Sequence, residues 1–251
     1  MLSAAEFARY YSLTEHSKWE IAGHYPTERA ILARLSDLPQ RSRILDFGCS
    51  SGRLLAGLTA RYACHGVEIN ETAAQAAGEK GLQILSLGAL AGPDAPRFHA
   101  IILADVFEHL TQPLDLLRLL AACLLPGGSL IILTGNGDAP ACRRDPAQFW
   151  YFRIIEHVAM LTRRHADYLA AALHLRLVQW TPLCHYDLTR REKLVQQMQH
   201  FAFWQFRCRT LAARALLRFL PVINRLRRAE VAPTFTCSRD HVLAVFENDD
   251  T

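Results

Sequence analysis

Ile44-Leu45-Asp46-Phe47-Gly48-Cys49-Ser50-Ser51-Gly52 is the stretch that decides the fold of this 251-residue chain. Ile44, Leu45 and Phe47 around Asp46 read as the end of a buried strand, and Gly48 and Gly52 bracket a tight turn. Leu54, Leu55 and Leu58 then recur at helical spacing, so a helix is expected over 52–63. A second apolar run, 65–69, carries Glu68 near its end. A strand, a glycine turn, a helix, a strand and a terminal acid make a site for a nucleoside-bearing cofactor, the acid facing a ribose hydroxyl pair.

Working outward, strands are expected at 43–47, 65–69, 82–87, 99–104, 130–133, 175–180 and 241–246. Helices are expected at 71–80, 114–125 and 164–174, and over 4–36 with a break near Gly23 to Pro26. The apolar run 99–104 fits a central parallel strand buried on both faces. Alternating strands and helices imply an α/β fold, a doubly wound, mostly parallel seven-stranded sheet with its ligand at the carboxyl ends of the strands. The expected organisation is an N-terminal helical cap (1–40), a main domain (41–187 with 231–251) and a basic amphipathic helical insertion (188–230).

About half the residues are apolar, which excludes a disordered chain. No apolar run is long enough to span a bilayer, and the first residues lack the pattern of a secretory signal, so a cytoplasmic location is expected. Seven dispersed cysteines without a Cys-x-x-Cys pair argue against a disulfide framework or structural zinc, and no metal is expected. Apart from Cys49 they read as small buried apolar residues.

The net charge is +4, yet residues 188–230 hold ten Lys or Arg against two acids. Projected as one helix, Arg207, Arg214, Arg218 and Arg225 share a face. Phe201, Trp204, Cys208, Leu216, Phe219, Ile223 and Leu226 spread over the opposite one, and Pro221 divides the helix. Residues 194–228 thus read as a cover packed on the core or on a second copy of the chain, or as a peripheral contact with an anionic membrane surface. No recognisable nucleic-acid module accompanies them, which argues against nucleic acid.

The turn is not that of a dinucleotide dehydrogenase, which needs Gly-x-Gly-x-x-Gly. Asp46 would repel a pyrophosphate and suits a ligand bearing an amine or a sulfonium. Ile-Leu-Asp-Phe-Gly-Cys (44–49), Gly-Val-Glu-Ile-Asn (66–70), Ala-Asp-Val-Phe-Glu-His-Leu (104–110) and Leu-Leu-Pro-Gly-Gly (124–128) follow in order. Together they resemble the class I S-adenosylmethionine-dependent methyltransferases, in particular the small-molecule branch, over residues 40–180 and the final strand. The resemblance implies a Rossmann-like sheet with an antiparallel last strand, N-terminal helices and a helical insertion before that strand, and S-adenosyl-L-methionine as cofactor. It places Asp46, Gly48, Cys49, Ser50, Gly52, Glu68, Ile69, Ala89, Asp105 and Val106 around that cofactor, with the glycine loop under its methionine part and Glu68 on the ribose. Two positions depart from the pattern. Ser50 stands where the family usually has glycine, and Gly88-Ala89-Leu90 offers no polar side chain at the adenine edge.

Methyl transfer is an in-line displacement that needs an aligned acceptor and, at oxygen, removal of a proton. His109, after strand four, is a candidate base; with Glu108 it equally reads as the opening of a helix. Asn136 is either an acceptor ligand or a turn residue. Trp150, Tyr151, Arg153 and His157 belong to an aromatic run before Glu-His-Val, as in related methyltransferases acting on sugars and other metabolites. They read as an acceptor lid with His157 as a second base, or as core and capping residues. Tyr11, with Tyr10 and His24, would close the pocket from above or simply pack. The expected activity is methyl transfer to a small molecule, at oxygen, on a sugar, a polyketide-like metabolite or a lipid-linked precursor. A catalytically inactive scaffold whose insertion meets a membrane or a protein is the alternative.

Overall fold

A computed structural model describes residues 23–211, 215 and 224–249. Tyr10, Tyr11 and most of the expected N-terminal cap lie outside the described residues, as do Arg214, Leu216, Arg218, Phe219, Pro221 and Ile223 of the insertion.

The strands are β1 (Arg43–Phe47), β2 (Ala63–Val67), β3 (Gln83–Ile84), β4 (Phe98–Ala104), β5 (Leu124–Gly135), β6 (Arg176–Leu183) and β7 (His241–Glu247). They form one sheet in the order β3-β2-β1-β4-β5-β7-β6. The β1–β2, β1–β4, β2–β3 and β4–β5 pairs are parallel, while β7 runs antiparallel to both β5 and β6. The strand order reverses between β1 and β4, and an α/β sheet opens its ligand crevice beyond such a point.

Both sheet faces are covered, as the apolar runs require. On β4, Ile101 and Leu103 enter one core while Ala100 and Ile102 enter the other; β5 and β7 alternate likewise. The helices are α1 (Pro26–Leu35), α2 (Glu71–Glu79), α3 (Pro113–Ala122), the short α4 (Pro140–Arg144), α5 (Arg163–Ala172), α6 (Arg190–Arg207) and the short α7 (Asn224–Arg227). Leu117 and Leu120 of α3 and Leu169 of α5 close the first core, while Ile31 and Leu35 of α1 close the second.

Several expected elements are corrected. The helix over 52–63 is a run of turns with a 3-10 segment at Ala56–Leu58. Gly52 (φ +75°), Gly57 and Thr59 are weak helix formers, and turns bury Leu54 and Leu55 just as well. β3 has only two residues, and β5 begins at Leu124, taking in Pro126-Gly127-Gly128 where its register with β4 shifts. In the insertion, α6 ends at Arg207 and Arg209 turns left-handed (φ +51°), so 201–226 is not one continuous helix. Ala202 and Phe203 are the buried residues of α6, whereas Phe201 and Cys208 are exposed. Cys184 and Cys237 are half-buried, so the cysteines are not uniformly core. No helix among the described residues is long and apolar enough to cross a membrane.

Candidate active site

The turn after β1 forms one half of a candidate site at the carboxyl edge of the sheet. Gly48 sits at φ +78°, and a Cβ there would lie 2.6 Å from the Val106 side chain, so only glycine lets this turn meet the end of β4. Ser50 also adopts a left-handed backbone, φ +48°. The conformation that favours glycine is therefore kept by a serine, at a strain of about 1–2 kcal/mol. Glu68, just past β2, clamps the loop: its carboxylate accepts from Ser50 N (2.9 Å) and Asn70 N (2.8 Å). Asp46 is buried and its Oδ1 has no partner. Burial raises its carboxyl to about 7; Glu28 and Glu68 push the same way, and Arg53 opposes them. Asp46 is thus a desolvated acid with one unpartnered oxygen beside a glycine turn.

The other half gathers residues distant in sequence. Glu108 and His109 stand on a 3-10 turn after β4 (Phe107–His109). Glu108 is 1% exposed and accepts hydroxyl hydrogen bonds from Thr134 (2.8 Å) and Tyr151. Tyr151 packs over Gly135, where any Cβ would fall 2.3 Å from its ring. Burial, with Glu108 and Asp105, holds the Tyr151 phenol well above its usual range, so it stays a donor. The main chain locks the constellation, since Val158 N and Ala159 N donate to the Glu108 carbonyl (2.8 and 3.2 Å).

His109 Nδ1 lies 3.1 Å from Glu156 O, and His157 Nδ1 lies 2.9 Å from Tyr151 O. Burial lowers the His157 pKa, with His109 adding to the shift and Glu108 opposing it, so the imidazole is neutral near pH 7. Beyond them, His241 lies 3.7 Å from Asp105 Oδ1 and 3.5 Å from Asp240 Oδ2. Burial alone would lower His241, but Asp240, Asp105 and Glu108 outweigh it and leave the ring raised. Asp105 (φ +53°) is raised to about 7, mainly because its Oδ1 is buried, then by Glu108. His185 stacks on His241 with ring centroids 4.7 Å apart; burial, His241 and Arg53 depress it to about 3. Tyr25 and Tyr186 flank His185.

Residues 24–180 match a protein family described as a methyltransferase domain, more than half of the chain. The chain belongs to the class I S-adenosylmethionine-dependent methyltransferases. It is 30% identical over 156 residues to the ubiquinone biosynthesis O-methyltransferase of Xanthomonas axonopodis pv. citri (strain 306), covering 57% of this chain and 62% of that protein. To the enzyme of the same name from Alkalilimnicola ehrlichii it is 32% identical over 103 residues, 38% of this chain and 42% of the relative. The methyltransferase thus aligns with less than two thirds of these relatives' length. Its fold is similar to that of geranyl diphosphate C-methyltransferase from Streptomyces coelicolor A3(2), solved with S-adenosyl-L-homocysteine, Mg2+ and geranyl diphosphate (13% identity, TM-score 0.61, 97% of each chain).

In the methyltransferase, Asp46, Gly48, Cys49, Ser50, Gly52, Glu68, Asp105 and Val106 gather at the carboxyl ends of β1, β2 and β4. Ile69 is exposed beside them, and Ala89 lies in a 3-10 turn whose N-H meets Ser86 Oγ. Three candidates for the acceptor side have hydrogen-bond partners within the chain. Asn136 is buried and spends its side chain on Arg239 O and Asp138 N. Arg153 donates to Ala232 O, tying the loop to the chain beyond the insertion. Tyr151 is buried and donates its hydroxyl to Glu108. Trp150 is half-buried and Phe152 exposed. His185, His241, Asp240 and Tyr25 escaped the sequence reading. Their only sequence signal is a His beside an acid or a Tyr at a strand end, a pattern too common to single out.

Proposed function

We propose that this methyltransferase carries the methyl group of S-adenosylmethionine to a hydroxyl oxygen of a flat, aromatic small molecule. The observation that carries this is the pair of imidazoles, His109 and His157, held against main-chain carbonyls beside the Asp46–Glu68 half of the cleft. When bound, the cofactor supplies a methyl group activated by its sulfonium. The residues present fit it: orphaned Asp46 would meet the positive charge, the Gly48–Gly52 turn its methionine part, Glu68 the ribose, and Ile69 and Ala89 the adenine. His157, neutral and carrying Nε2 opposite its anchored Nδ1, would take the acceptor proton, and His109 is the alternate base. The rings of Trp150, His185, Tyr186 and Tyr25 would sandwich an aromatic acceptor, and the O-methyltransferase names of the relatives support oxygen. The exposed Leu194, Val195, Met198 and Phe201 of α6 favour an apolar contact for the insertion, with a membrane surface or a second copy.

Calorimetry with S-adenosylhomocysteine, followed by mass spectrometry of 3,4-dihydroxybenzoate incubated with S-adenosylmethionine and enzyme, tests this reading. Micromolar binding and a singly methylated phenol are expected. No heat at millimolar ligand would reduce the fold to a scaffold.

A further inference from the structure

Among the described residues, eight buried side-chain atoms have no hydrogen-bond partner, and five of them gather around His241: Asp105 Oδ1, Trp150 Nε1, both Asp240 oxygens and His241 Nδ1. Buried polar groups are nearly always satisfied, so such a concentration calls for an explanation. His241 opens β7, where pairing with Gly135 of β5 and Leu183 of β6 fixes its backbone. Asn136 N donates to the carbonyl of buried Asp240 (2.7 Å), and Asp105 N donates to Leu133 O (3.0 Å). Sheet pairing thus sets up an acid-imidazole-acid row: Asp240 Oδ2 lies 3.5 Å from His241 Nδ1, and Asp105 Oδ1 lies 3.7 Å from His241 Nε2. Both gaps are slightly longer than a hydrogen bond, so small carboxylate movements would close them. The rings of Tyr151, Trp150 and His185 surround the imidazole. Burial would lower its pKa, yet Asp240, Asp105 and Glu108 outweigh burial and favour the charged form.

The row holds two acids for one imidazole, and a buried anion is costly unless paired. Asp240 is fully buried, whereas the Asp105 side chain is 40% exposed although its Oδ1 is buried. The open end of the row is therefore Asp105. It stands three residues beyond Ile102, the β4 partner of Asp46 in β1, and the next residue, Val106, packs against Gly48 of the cofactor turn. We propose that His241 is a positioning residue for the cofactor: anchored by Asp240, it pairs with Asp105 and holds that carboxylate toward the crevice between β1 and β4, where the sulfonium would lie. Asp240 fixes the ring as a buried acid orients the imidazole of a catalytic triad, and the imidazolium keeps Asp105 an anion. The cofactor's positive charge would then lie between two carboxylates, Asp46 and Asp105, carried by adjacent strands. This assignment rests on S-adenosylmethionine as the cofactor and not on oxygen as the methyl acceptor.

Calorimetry with S-adenosylmethionine, positive at sulfur, and S-adenosylhomocysteine, neutral there, compares the wild-type protein with His241→Gln, Asp105→Asn and the double variant. The ratio of the two affinities reads charge, whereas a loss shared by both ligands reads shape. His241→Gln and Asp105→Asn should each lower the ratio against S-adenosylmethionine by roughly 10-fold, a Coulomb effect across several ångströms in a partly solvated site. S-adenosylhomocysteine affinity should hardly change. The double variant should match Asp105→Asn alone, because His241 acts through that carboxylate. An unchanged ratio in His241→Gln, equal losses with both ligands, or effects that add in the double variant overturn the proposal. If His241→Gln does not fold, Asp240→Asn replaces it: a smaller shift of the ratio in the same direction is expected, and no shift overturns the proposal. Wild-type protein that binds neither ligand overturns the cofactor reading as well; binding of both with no charge-specific loss in the variants overturns the role of His241 alone.

Discussion

Asp46, Gly48, Ser50 and Glu68 come from a single strand-turn-strand unit, whereas Glu108, Tyr151, His157, His185 and His241 come from five separate places along the chain. The first group is set by local backbone: a positive φ at Gly48 and Ser50, and a carboxylate clamping the turn within one unit. The second exists only because β4, β5 and β7 are neighbours in the sheet, so that the loops after them converge. The cofactor half carries a left-handed Ser50 and a buried acid with one unpartnered oxygen, while the acceptor half joins a hydrogen-bonded network around Glu108 to buried atoms of Asp105, Trp150, Asp240 and His241 that lack hydrogen-bond partners. An unpaired group is relieved by its ligand or by mutation; a satisfied network is damaged by any single deletion.

The largest expected effect tests the unpaired acid. Asp46 is raised to about 7 from 3.8, so the folded protein holds this proton more tightly than the unfolded chain. Its stabilising contribution is then fully present below about pH 4 and is lost as pH rises through about 7, a change of up to about 4 kcal/mol. Asp46→Asn should match the wild-type protein near pH 4 and exceed it at pH 8 by roughly 2–4 kcal/mol in urea denaturation without ligand. The same variant should bind S-adenosylhomocysteine more weakly. A stability difference that does not change with pH would break the contrast drawn between the two halves.

Glu68→Ala comes next. It removes a carboxylate acceptor, and hydrogen bonds to charged groups contribute about 1.5–3 kcal/mol, so S-adenosylhomocysteine affinity should drop roughly 10- to 150-fold by calorimetry. Affinity within twofold of wild type would mean that this clamp serves the loop alone. In the acceptor half, Tyr151→Phe strips one of the two hydroxyl partners from buried Glu108. It should destabilise the protein by about 1–3 kcal/mol while leaving S-adenosylhomocysteine binding unchanged. Equal loss of stability and cofactor affinity would show that the halves are not separable. The smallest effect belongs to Ser50→Gly. It relieves a left-handed serine, offset by glycine's greater unfolded-state freedom, so a gain of about 1 kcal/mol or less in thermal unfolding is expected. A loss would indicate that the serine side chain holds the loop.

The parts legible in the sequence follow the same division. Periodicity and the order of four motifs carried the strands and the Asp46–Glu68 unit, because each depends on residues close in sequence; the reversed last strand followed only from the family resemblance. The partners of Asn136, Arg153 and Tyr151 were not legible, because they lie 103, 79 and 43 residues away along the chain. The helix expected at 52–63 failed for a related reason. Spacing of Leu54, Leu55 and Leu58 fixes which residues are buried, not whether a helix or a set of turns buries them.

The sequence by itself determined the fold class and the cofactor turn, since hydrophobic alternation, glycine geometry and a placed acid act over a few residues. Only the tertiary structure decided what faces the turn. Parallel and antiparallel pairing set Gly135 against His241 and bring the loop after Tyr151 onto Glu108. The meeting of Glu108, His109 and His157 is a consequence of sheet order, which no local pattern encodes.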